Sequence, residues 1–372
     1  MSAPLEGAKV VELARILAGP WAGQVLADLG AQVIKVEAPE GDDTRRWGPP
    51  FIARDGDGPE NRSAAYFHAT NRGKQSVIAD FRTPEGQKIV RDLVADADVV
   101  IENFKLGGLK KYGLDYDSLS ALNPRLVYCS ITGFGQDGPY APRAGYDFLI
   151  QGMAGWMDLT GDPTGAPQKV GVAFADLFTG LYAVIGIQAA LATRIRTGRG
   201  QLVDMALLDC AVGVLANQGM NYLATGTPPH RLGNAHPNIA PYEVVSAADG
   251  DLILAVGNDG QFVRLCDLLH LDLADRAEFA TNEARVANRT ALRACLLPAL
   301  ATWRRADLLT ALQAATVPAG PINTLDQVFD DPQVQAREMR IEAEGIAGIR
   351  TPIRLSDTPL APPRPAPKLG EG

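Results

Sequence analysis

The chain has 372 residues, of which 46% are hydrophobic and 21% charged, and its formal net charge is −8. These proportions are typical of a globular protein and exclude a disordered or fibrous chain, and the length predicts two or three domains. The acidic balance argues against a protein that binds nucleic acid by neutralising many phosphates, although a local pocket can still bind a small anion.

The chain carries no pattern typical of a metal site, a disulfide framework or a targeting segment. The four cysteines are scattered without a Cys-x-x-Cys pair, at Cys129, Cys210, Cys266 and Cys295. The first seven residues lack the basic stretch and apolar core of a signal peptide, and polar and glycine residues interrupt the apolar stretch at 178–193. We therefore expect a cytoplasmic protein with no metal ion and with no membrane or nucleic-acid partner.

The first 40 residues predict a strand, a helix and a second strand. The strands are expected at 9–13 and 32–36, and Pro20 stands at the first position of the helix between them. Glu37 closes the second strand, where dinucleotide-binding folds place a ribose-binding acid. The turn at 17–23 has two glycines four residues apart and lacks the G-x-G-x-x-G pattern. The sequence therefore predicts a Rossmann-like fold without the dinucleotide.

The alternation of strands and helices continues along the first half of the chain. Further strands are predicted at 76–79, 99–101 and 126–132, and helices at 84–95 and 118–122. This pattern predicts a mostly parallel sheet covered on both faces. Ligands of such sheets bind at the carboxyl ends of the strands, which directs attention to 15–20, 103–111 and 132–146.

The organisation of the whole chain predicts two α/β domains. Residues 1–216 are expected to form a large Rossmann-like domain, to which 325–372 return. The segment 217–245 is rich in Pro, Gly and Asn and predicts a crossover linker, and 246–324 predict a small α/β domain. The prolines near the end of the chain predict an extended strap.

Asp176 is the candidate nucleophile. It lies just ahead of an apolar helix predicted from about Thr179 to Arg196. A helix N-terminus stabilises a carboxylate as the anion, and such a group could attack a carbonyl. Aspartate is also a preferred helix cap, so a purely capping role for Asp176 is an equally physical interpretation.

Clustered cations precede and follow the predicted strands. Arg72 and Lys74 precede one strand, whereas Lys105, Lys110 and Lys111 follow another. Such clusters suit phosphate groups, and they are also typical of a solvated surface. The loop at 133–139 contains three glycines, which indicates either a tight connection or a close approach of the backbone to a ligand.

Taken together, these segments resemble the family III CoA-transferases over essentially the whole chain. This group includes formyl-CoA, carnitine-CoA and succinyl-CoA:dicarboxylate transferases. The matching motifs are Leu17–Pro20, Val33–Glu37, Gly41–Arg45, Asn71–Lys74, Glu102–Phe104, Tyr112–Gly113, Ser130–Gly135, Asp176–Gly180, Thr197–Gln201 and Leu369–Glu371.

The resemblance implies an enzyme that transfers CoA between an acyl-CoA and a carboxylic acid acceptor. Asp176 would be the nucleophile, forming an aspartyl anhydride and then an aspartyl–CoA thioester, and Tyr146 would hydrogen-bond the reacting oxygens. CoA would be a substrate, with no permanently bound cofactor, and two chains would form an interlaced homodimer. The positions matching the CoA-binding residues of the family are Arg15, Leu17, Ala18, Lys74, Asn103, Phe104 and Lys111.

Two features of this chain depart from the formyl-CoA enzymes. Ala38 stands where those enzymes have a basic residue, so we expect Arg45 or Arg72 to supply the missing cation. The segment 233–242 contains two prolines in place of a glycine-rich loop, as in the dicarboxylate-type members. Its residues His236 and Asn238 are candidate contacts for the substrate, and succinyl-CoA or a similar ester is the expected donor.

Two other functions stay open from the sequence. The α-methylacyl-CoA racemases of the same superfamily use a histidine in the motif that here reads Ala144–Phe148, where this chain has Tyr146. Tyrosine, with an ordinary pKa near 10, is a poor proton shuttle at neutral pH. A CoA-binding protein without catalytic activity is the third alternative.

Overall fold

The computed structural model describes residues 2–54, 58 and 61–372. The chain divides into two compact units. The larger consists of Met1–Ala154, Val170–Ala216 and Asp331–Gly372, and the smaller of Gly155–Lys169 and Asn217–Asp330.

The strands of the described chain are short and follow one another at intervals typical of an α/β protein. They are β1 (Lys9–Glu12), β2 (Gln32–Glu37), β3 (Phe51–Ile52), β4 (Ser63–Ala64), β5 (Gln75–Ile78), β6 (Val99–Glu102), β7 (Val127–Thr132), β8 (Leu202–Ala206), β9 (Tyr242–Ala247), β10 (Gly250–Ala255), β11 (Ala319–Pro321), β12 (Arg340–Ala343) and β13 (Ile346–Ile349).

Helices connect most of these strands. They are α1 (Ala18–Asp28), α2 (Ala65–Asn71), α3 (Pro84–Val94), α4 (Tyr116–Leu122), α5 (Asp147–Met153), α6 (Trp156–Leu159), α7 (Phe174–Thr197), α8 (Leu207–Gly213), α9 (Ala216–Thr225), α10 (Asp259–Leu269), α11 (Asn282–Ala287), α12 (Arg289–Leu300), α13 (Arg305–Ala314), α14 (Leu325–Asp330) and α15 (Pro332–Ala336).

The larger unit is built on a six-stranded parallel sheet in the order β5-β2-β1-β6-β7-β8. Counting only these strands along the chain, the order is 3-2-1-4-5-6, which is that of Rossmann folds. Val10 of β1 pairs with Val33 on one side and with Val99 on the other. The predicted α/β architecture with a parallel sheet is confirmed, and the direction of the strand order reverses between β1 and β6.

The central strands are continuous apolar runs because helices cover both faces of the sheet. All residues of β6 and β7 are buried. On one face, Val90 and Val94 of α3 and Leu119 of α4 pack against Val11 and Val100. Helices α1 and α7 pack on each other and against strands of the sheet. This burial holds the strand ends, and hence the loops that follow them, in fixed positions.

Helix α7 begins five residues earlier than the predicted start near Thr179. It runs from Phe174 and ends at Gly198, which adopts a left-handed conformation with φ 71°. By length and composition alone it could cross a membrane, with a mean hydropathy of 1.5. In the larger unit it packs against α1, α5 and α8. The earlier start places Asp176 in its first turn.

The smaller unit contains the antiparallel sheet β11-β10-β9. Leu252 and Leu254 of β10 pack with Phe262, Leu296 and Leu308 of the neighbouring helices in one apolar core. The domain boundaries expected from the sequence differ from this division in their details. The segment 217–245, predicted as a linker, groups with the smaller unit because it contains most of helix α9 and the start of β9.

The end of the chain is an extended strap along the edge strand β5. Ser76 donates its backbone N–H to Glu371 O at 2.8 Å, and Gly73 donates to Arg364 O at 3.1 Å. Gly370 donates to Ser76 Oγ at 3.0 Å. These bonds satisfy backbone groups that an edge strand would otherwise expose.

Candidate active site

A cavity of about 750 Å³ lies at the carboxyl ends of the strands of the larger unit. The segments that follow β1, β2, β5, β6 and β7 all contribute residues to its wall. Of the residues predicted from the sequence, the cavity is lined by Arg15, Leu17, Ala18, Asn103, Phe104, Lys111, Tyr146 and Asp176. One cavity therefore brings together both candidate catalytic residues and six of the candidate CoA-binding residues.

The loops after β1 and β6 are bonded to each other across the point where the strand order reverses. Arg15 donates its backbone N–H to Asn103 Oδ1 at 2.8 Å, and Asn103 Nδ2 donates to Arg15 O at 2.6 Å. Ligands of open α/β sheets bind in the crevice formed at such a reversal. The topology of the sheet thus accounts for the position of the cavity.

Asp147 caps the helix that carries Asp176. The N-cap residue of α7, Ala173, makes no side-chain capping bond. Instead Asp147 Oδ1 accepts the backbone N–H of Ala175 at 2.9 Å. A buried glutamine, Gln151, donates from Nε2 to Asp147 Oδ2 at 2.8 Å and accepts the N–H of Val170 at 2.9 Å. Since Asp147 performs the capping, the carboxylate of Asp176 is available to the cavity.

The environment of Asp176 favours its neutral form. Burial and the nearby carboxylate of Asp147 raise the pKa of Asp176 from 3.8 to about 7. The position at a helix N-terminus favours the anion, whereas burial and the charge of Asp147 act in the opposite direction. A carboxylate that is weakly stabilised near neutral pH is a more reactive nucleophile than a well-solvated one.

Tyr66 is a neighbour of Asp176 that the sequence did not reveal. Burial, and then the negative charges of Asp176 and Asp147, raise the pKa of Tyr66 to about 12. Its ring contacts Trp47 edge to face, with centroids 5.4 Å apart. No motif or periodicity in the sequence marks Tyr66, because only the fold brings α2 near the start of α7.

Tyr146 stands at the N-cap position of α5 and lines the cavity with 66% of its surface exposed. The loop before it is closed by two glycines in contact. A Cβ atom on Gly133 would lie 2.5 Å from Gly145 Cα, so neither position has room for a side chain. Gly133 thus forms a tight connection with Gly145, and it also lines the cavity, so both alternatives for this loop stay open.

The cavity wall also carries an aromatic and cationic cluster. Phe81 contacts Phe104 and Tyr112, with ring centroids 5.5 and 5.4 Å apart. The Arg15 guanidinium lies 5.3 Å from the centre of the Phe104 ring, and Lys111 Nζ lies 4.7 Å from that of Tyr112. Aromatic faces beside cations suit a nucleotide base and its phosphates.

The cavity also contains cations other than the candidate CoA-binding residues. Lys105, named above among the cations that follow a strand, lines it, and so do Arg46, Arg82 and Arg143, which the sequence did not single out. Arg82 follows β5 in the same way that Lys105 follows β6, so the rule on strand ends could have found it. Arg46 lies in a 3₁₀ turn at Asp43–Arg46, which does not directly follow the end of a strand, so the same rule could not have found it.

The structure does not bring Arg45, Arg72 and Lys74 to the cavity. Each forms an ion pair with a carboxylate instead. Arg45 donates from Nε to Glu37 Oε2 at 2.8 Å, and Arg72 donates from Nε to Asp28 Oδ1 at 3.1 Å. Cations already paired at short distance in partly or fully buried positions have little capacity left for a phosphate.

Lys74 belongs to a buried cluster that supports the loop after β1. Its Nζ lies 2.8 Å from Glu12 Oε2. Burial lowers the pKa of Lys74 to about 8, an effect that Lys35 adds to and Glu12 opposes. Lys35 bridges Glu12 at 3.1 Å and Asp42 at 2.9 Å. Asp42 in turn accepts the N–H of Ile16 at 3.3 Å, so the cluster fixes a residue with φ 72° at the cavity wall.

His236 and Asn238 lie in the smaller unit, within a firmly bonded loop. Asn238 donates its backbone N–H to His236 Nδ1 at 3.1 Å, and Arg289 donates to His236 O at 3.1 Å. Burial and the charge of Arg289 lower the pKa of His236. The acceptor role of Nδ1 leaves the proton of the neutral ring on Nε2, where it can be donated.

A search of the described ranges, 2–54, 58 and 61–372, finds no group of three or more His, Cys, Asp or Glu that could hold a metal ion. The cysteines described are all free. The groups that the cavity presents include the carboxylate of Asp176, the phenol of Tyr146 and several cations.

Comparisons with known proteins show what the whole chain is similar to. Residues 5–372 match the model of CoA-transferase family III. The chain is 62% identical to the succinate–glutarate CoA-transferase of Agrobacterium fabrum, covering 99% of this chain and 93% of that protein. It is 40% identical to the human succinyl-CoA:glutarate CoA-transferase, covering 99% and 84%. A CAIB/BAIF family protein from Brucella suis superposes with a TM-score of 0.89 at 66% identity, covering 100% and 97%.

Proposed function

The chain belongs to CoA-transferase family III, and we propose that it transfers CoA from succinyl-CoA to a dicarboxylic acid such as glutarate, with Asp176 as nucleophile. Transfer of CoA between an acyl-CoA and a carboxylic acid is the activity of this enzyme. The choice of a dicarboxylate pair is supported by relatives at 62% and 40% identity whose names contain succinate or succinyl-CoA and glutarate.

The proposed reaction begins with attack of an Asp176 oxygen on the thioester carbon of the donor. A C–O bond forms and the C–S bond breaks, which yields an aspartyl anhydride and the CoA thiolate. The thiolate then attacks the aspartyl carbonyl, giving an aspartyl–CoA thioester and releasing the donor acid as its carboxylate.

The second half of the reaction reverses these steps with the acceptor. The carboxylate of the acceptor attacks the aspartyl–CoA thioester, forming a second anhydride and releasing the thiolate again. The thiolate attacks the acyl carbonyl of this anhydride, which produces the new acyl-CoA and restores the carboxylate of Asp176. No net proton is gained or lost, so the site needs no general base for turnover.

Each feature of the cavity has a place in this scheme. Burial of Asp176 beside Asp147 weakens the solvation of its anion and so favours its acylation. Tyr146 is exposed in the same cavity, and its proposed role is to donate a hydrogen bond to a developing oxyanion. Arg15, Asn103, Phe104 and Lys111 are the proposed contacts for CoA, together with Leu17 and Ala18.

We also propose that the enzyme is an interlaced homodimer in the cytoplasm, with CoA esters as substrates and no permanently bound cofactor. Both units carry exposed apolar side chains that a second chain would cover. Ile185 and Ile195 on α7 are 61% and 86% exposed, and Met220 and Leu223 on α9 are 62% and 74% exposed. Such exposure is typical of an interface rather than of a monomer surface.

One observation carries the proposal: Asp147 caps helix α7, so the carboxylate of Asp176 is available in a cavity lined by cations and aromatic rings. A matrix of acyl-CoA donors and carboxylic acids, with products identified by mass spectrometry, tests it. We expect the fastest exchange for succinyl-CoA with glutarate and related dicarboxylates. Exchange confined to monocarboxylates would contradict the proposed substrate class, but it would not contradict the assignment of Asp176 as nucleophile.

A further inference from the structure

Arg143 differs from the other arginines that line the cavity. In the part of the chain that the structure describes, its guanidinium forms no ion pair with a carboxylate. The other three arginines each have an aspartate partner: Arg15 with Asp43 at 3.4 Å, Arg46 with Asp43 at 3.0 Å and Arg82 with Asp80 at 2.7 Å. Arg143 therefore offers the cavity a positive charge that no described carboxylate neutralises.

Two aromatic rings hold this guanidinium in place. Its Cζ atom lies 4.5 Å from the centre of the Tyr140 ring and 5.2 Å from that of Phe134. The two rings contact each other edge to face, with centroids 5.6 Å apart. Contact with ring faces leaves the N–H groups of a guanidinium available for a two-pronged bond to a carboxylate.

The loop that carries Arg143 is held near the nucleophile at both ends. The close contact of Gly133 with Gly145 closes the loop on the end of β7. Arg143 lies three residues before Tyr146, so their Cα atoms are at most about 11 Å apart. The bond from Ala175 N to Asp147 Oδ1 then joins this segment to the first turn of α7, which carries Asp176.

The unpaired lysines of the cavity occupy a different part of its wall. Lys105 and Lys111 follow β6, and Lys111 lies against the aromatic cluster that suits the nucleotide. Arg143 follows β7 and shares its loop with Tyr146. Arg143 therefore lies on a different loop from Lys105 and Lys111, the lysines that suit the phosphates.

We propose that Arg143 binds the carboxylate at the far end of a dicarboxylic acyl group and thereby selects dicarboxylic over monocarboxylic substrates. This inference rests on the proposed function, since it assigns the substrate preference to one residue. In succinyl-CoA the group bound by Arg143 is the free carboxylate, while the thioester carbon meets Asp176. A butyryl group, which has the same chain length, lacks the charge and gains nothing from the guanidinium.

The test compares kcat/KM for succinyl-CoA with that for butyryl-CoA, each at saturating glutarate. We expect Arg143→Gln to reduce the ratio of the two values by 10- to 100-fold, mainly through the succinyl-CoA value. Arg143→Lys, which keeps the charge but not the two-pronged geometry, is expected to give an intermediate ratio. Thermal melting of each variant shows whether it is folded. If Arg143→Gln does not fold, the test is made with Arg143→Lys instead.

Arg62→Gln is the matched control. Its guanidinium also lies over an aromatic ring, 4.7 Å from the centre of Phe51, but it does not line the cavity. The ratio should not change in this variant. An equal loss for both donors in Arg143→Gln, or an unchanged ratio, would overturn the inference, as would loss of the preference in Arg46→Gln alone. A wild-type enzyme without any preference for succinyl-CoA would instead overturn the proposed substrate class, and this site with it.

Discussion

Asp147 accepts the backbone N–H of Ala175 at 2.9 Å, and this bond joins the helix that begins after Tyr146 to the helix that carries Asp176. Asp147 caps the helix, which leaves the carboxylate of Asp176 for its proposed role as nucleophile. Burial, together with the negative charge of Asp147 brought close by this arrangement, raises the pKa of Asp176 to about 7. The side chain that caps α7 thus also supplies the repulsion that acts on Asp176, the proposed nucleophile.

Removal of the charge of Asp147 should shift the pH dependence of catalysis. The reaction needs Asp176 as the anion, so kcat/KM of the wild type is expected to fall as the pH decreases through about 7. Asp147→Asn keeps an oxygen for the N–H of Ala175 but removes the repulsion, so the decrease should occur at lower pH. A pH profile of both proteins measures this. An acid limb at the same pH in the variant would contradict the role of Asp147.

Asp176→Asn should abolish exchange and stabilise the fold at high pH. Because the pKa of Asp176 is raised in the folded protein, the folded state binds its proton more tightly than the unfolded state. Stability therefore falls as the pH rises from about 4 to 7, and the loss is complete above 7. The variant should gain on the order of 1–2 kcal/mol at pH 8, or a few degrees in Tm, and little at pH 4.5.

Melting curves of wild type and variant at the two pH values test this expectation. Asp162, an exposed aspartate on the other unit, provides the control, since Asp162→Asn has no buried charge to relieve. A Tm for Asp176→Asn that is equal to or below that of the wild type at pH 8 would show that burial of the charge carries no penalty.

Tyr146→Phe should slow the chemistry without weakening the fold. The side chain is 66% exposed, so loss of its hydroxyl removes no buried hydrogen bond. If the hydroxyl stabilises an oxyanion, kcat should fall by roughly 10- to 100-fold while KM for the acyl-CoA changes little. Steady-state kinetics and the Tm separate the two effects, and an unchanged kcat would exclude the hydroxyl from the reaction.

Arg45→Met should lower stability rather than affinity for CoA. Arg45 is bonded to Glu37 through Nε at 2.8 Å and Nη2 at 2.6 Å, and its guanidinium lies 3.7 Å from the centre of the Phe67 ring. Loss of these contacts leaves Glu37 buried without its charged partner, which typically lowers the free energy of unfolding by about 3–5 kcal/mol. We expect a clear decrease in Tm and a KM for acyl-CoA within about threefold of the wild type. A large rise in KM at unchanged Tm would restore Arg45 as a CoA ligand.

The mostly parallel sheet, with helices between its strands, could be predicted from the sequence because apolar runs and helix caps are local signals. The rule that ligands bind at the carboxyl ends of such strands then gave the edge of the sheet where the cavity lies. Thr83, for example, caps α3 by accepting the backbone N–H of Gly86 at 3.1 Å, and it stands directly before Pro84 at the start of the helix. The role of Lys74 could not be predicted in this way. Its partner Glu12 lies 62 residues earlier, and only the pairing of β1 with β2 and of β2 with β5 brings the two together.

The raised pKa of Asp176 shows a second limit of prediction from the sequence. A helix N-terminus is visible in the sequence, but the burial of Asp176 and its proximity to Asp147 arise from the packing of α5 against α7. Likewise, Arg143 looks like any surface arginine in the sequence, because neither its two ring contacts nor the pairing of the other arginines is a local property.

The central claim, that Asp176 is acylated and then carries CoA, is tested most directly by mass spectrometry of the intact enzyme. Incubation with succinyl-CoA in the absence of an acceptor, followed by acid quenching and peptide mapping, should reveal a mass increase equal to bound CoA on the peptide that contains Asp176. Hydroxylamine should remove this adduct and leave a hydroxamate at the same residue, and Asp176→Asn should show no adduct. Full exchange activity in Asp176→Asn, or an adduct on any other residue, would contradict the mechanism.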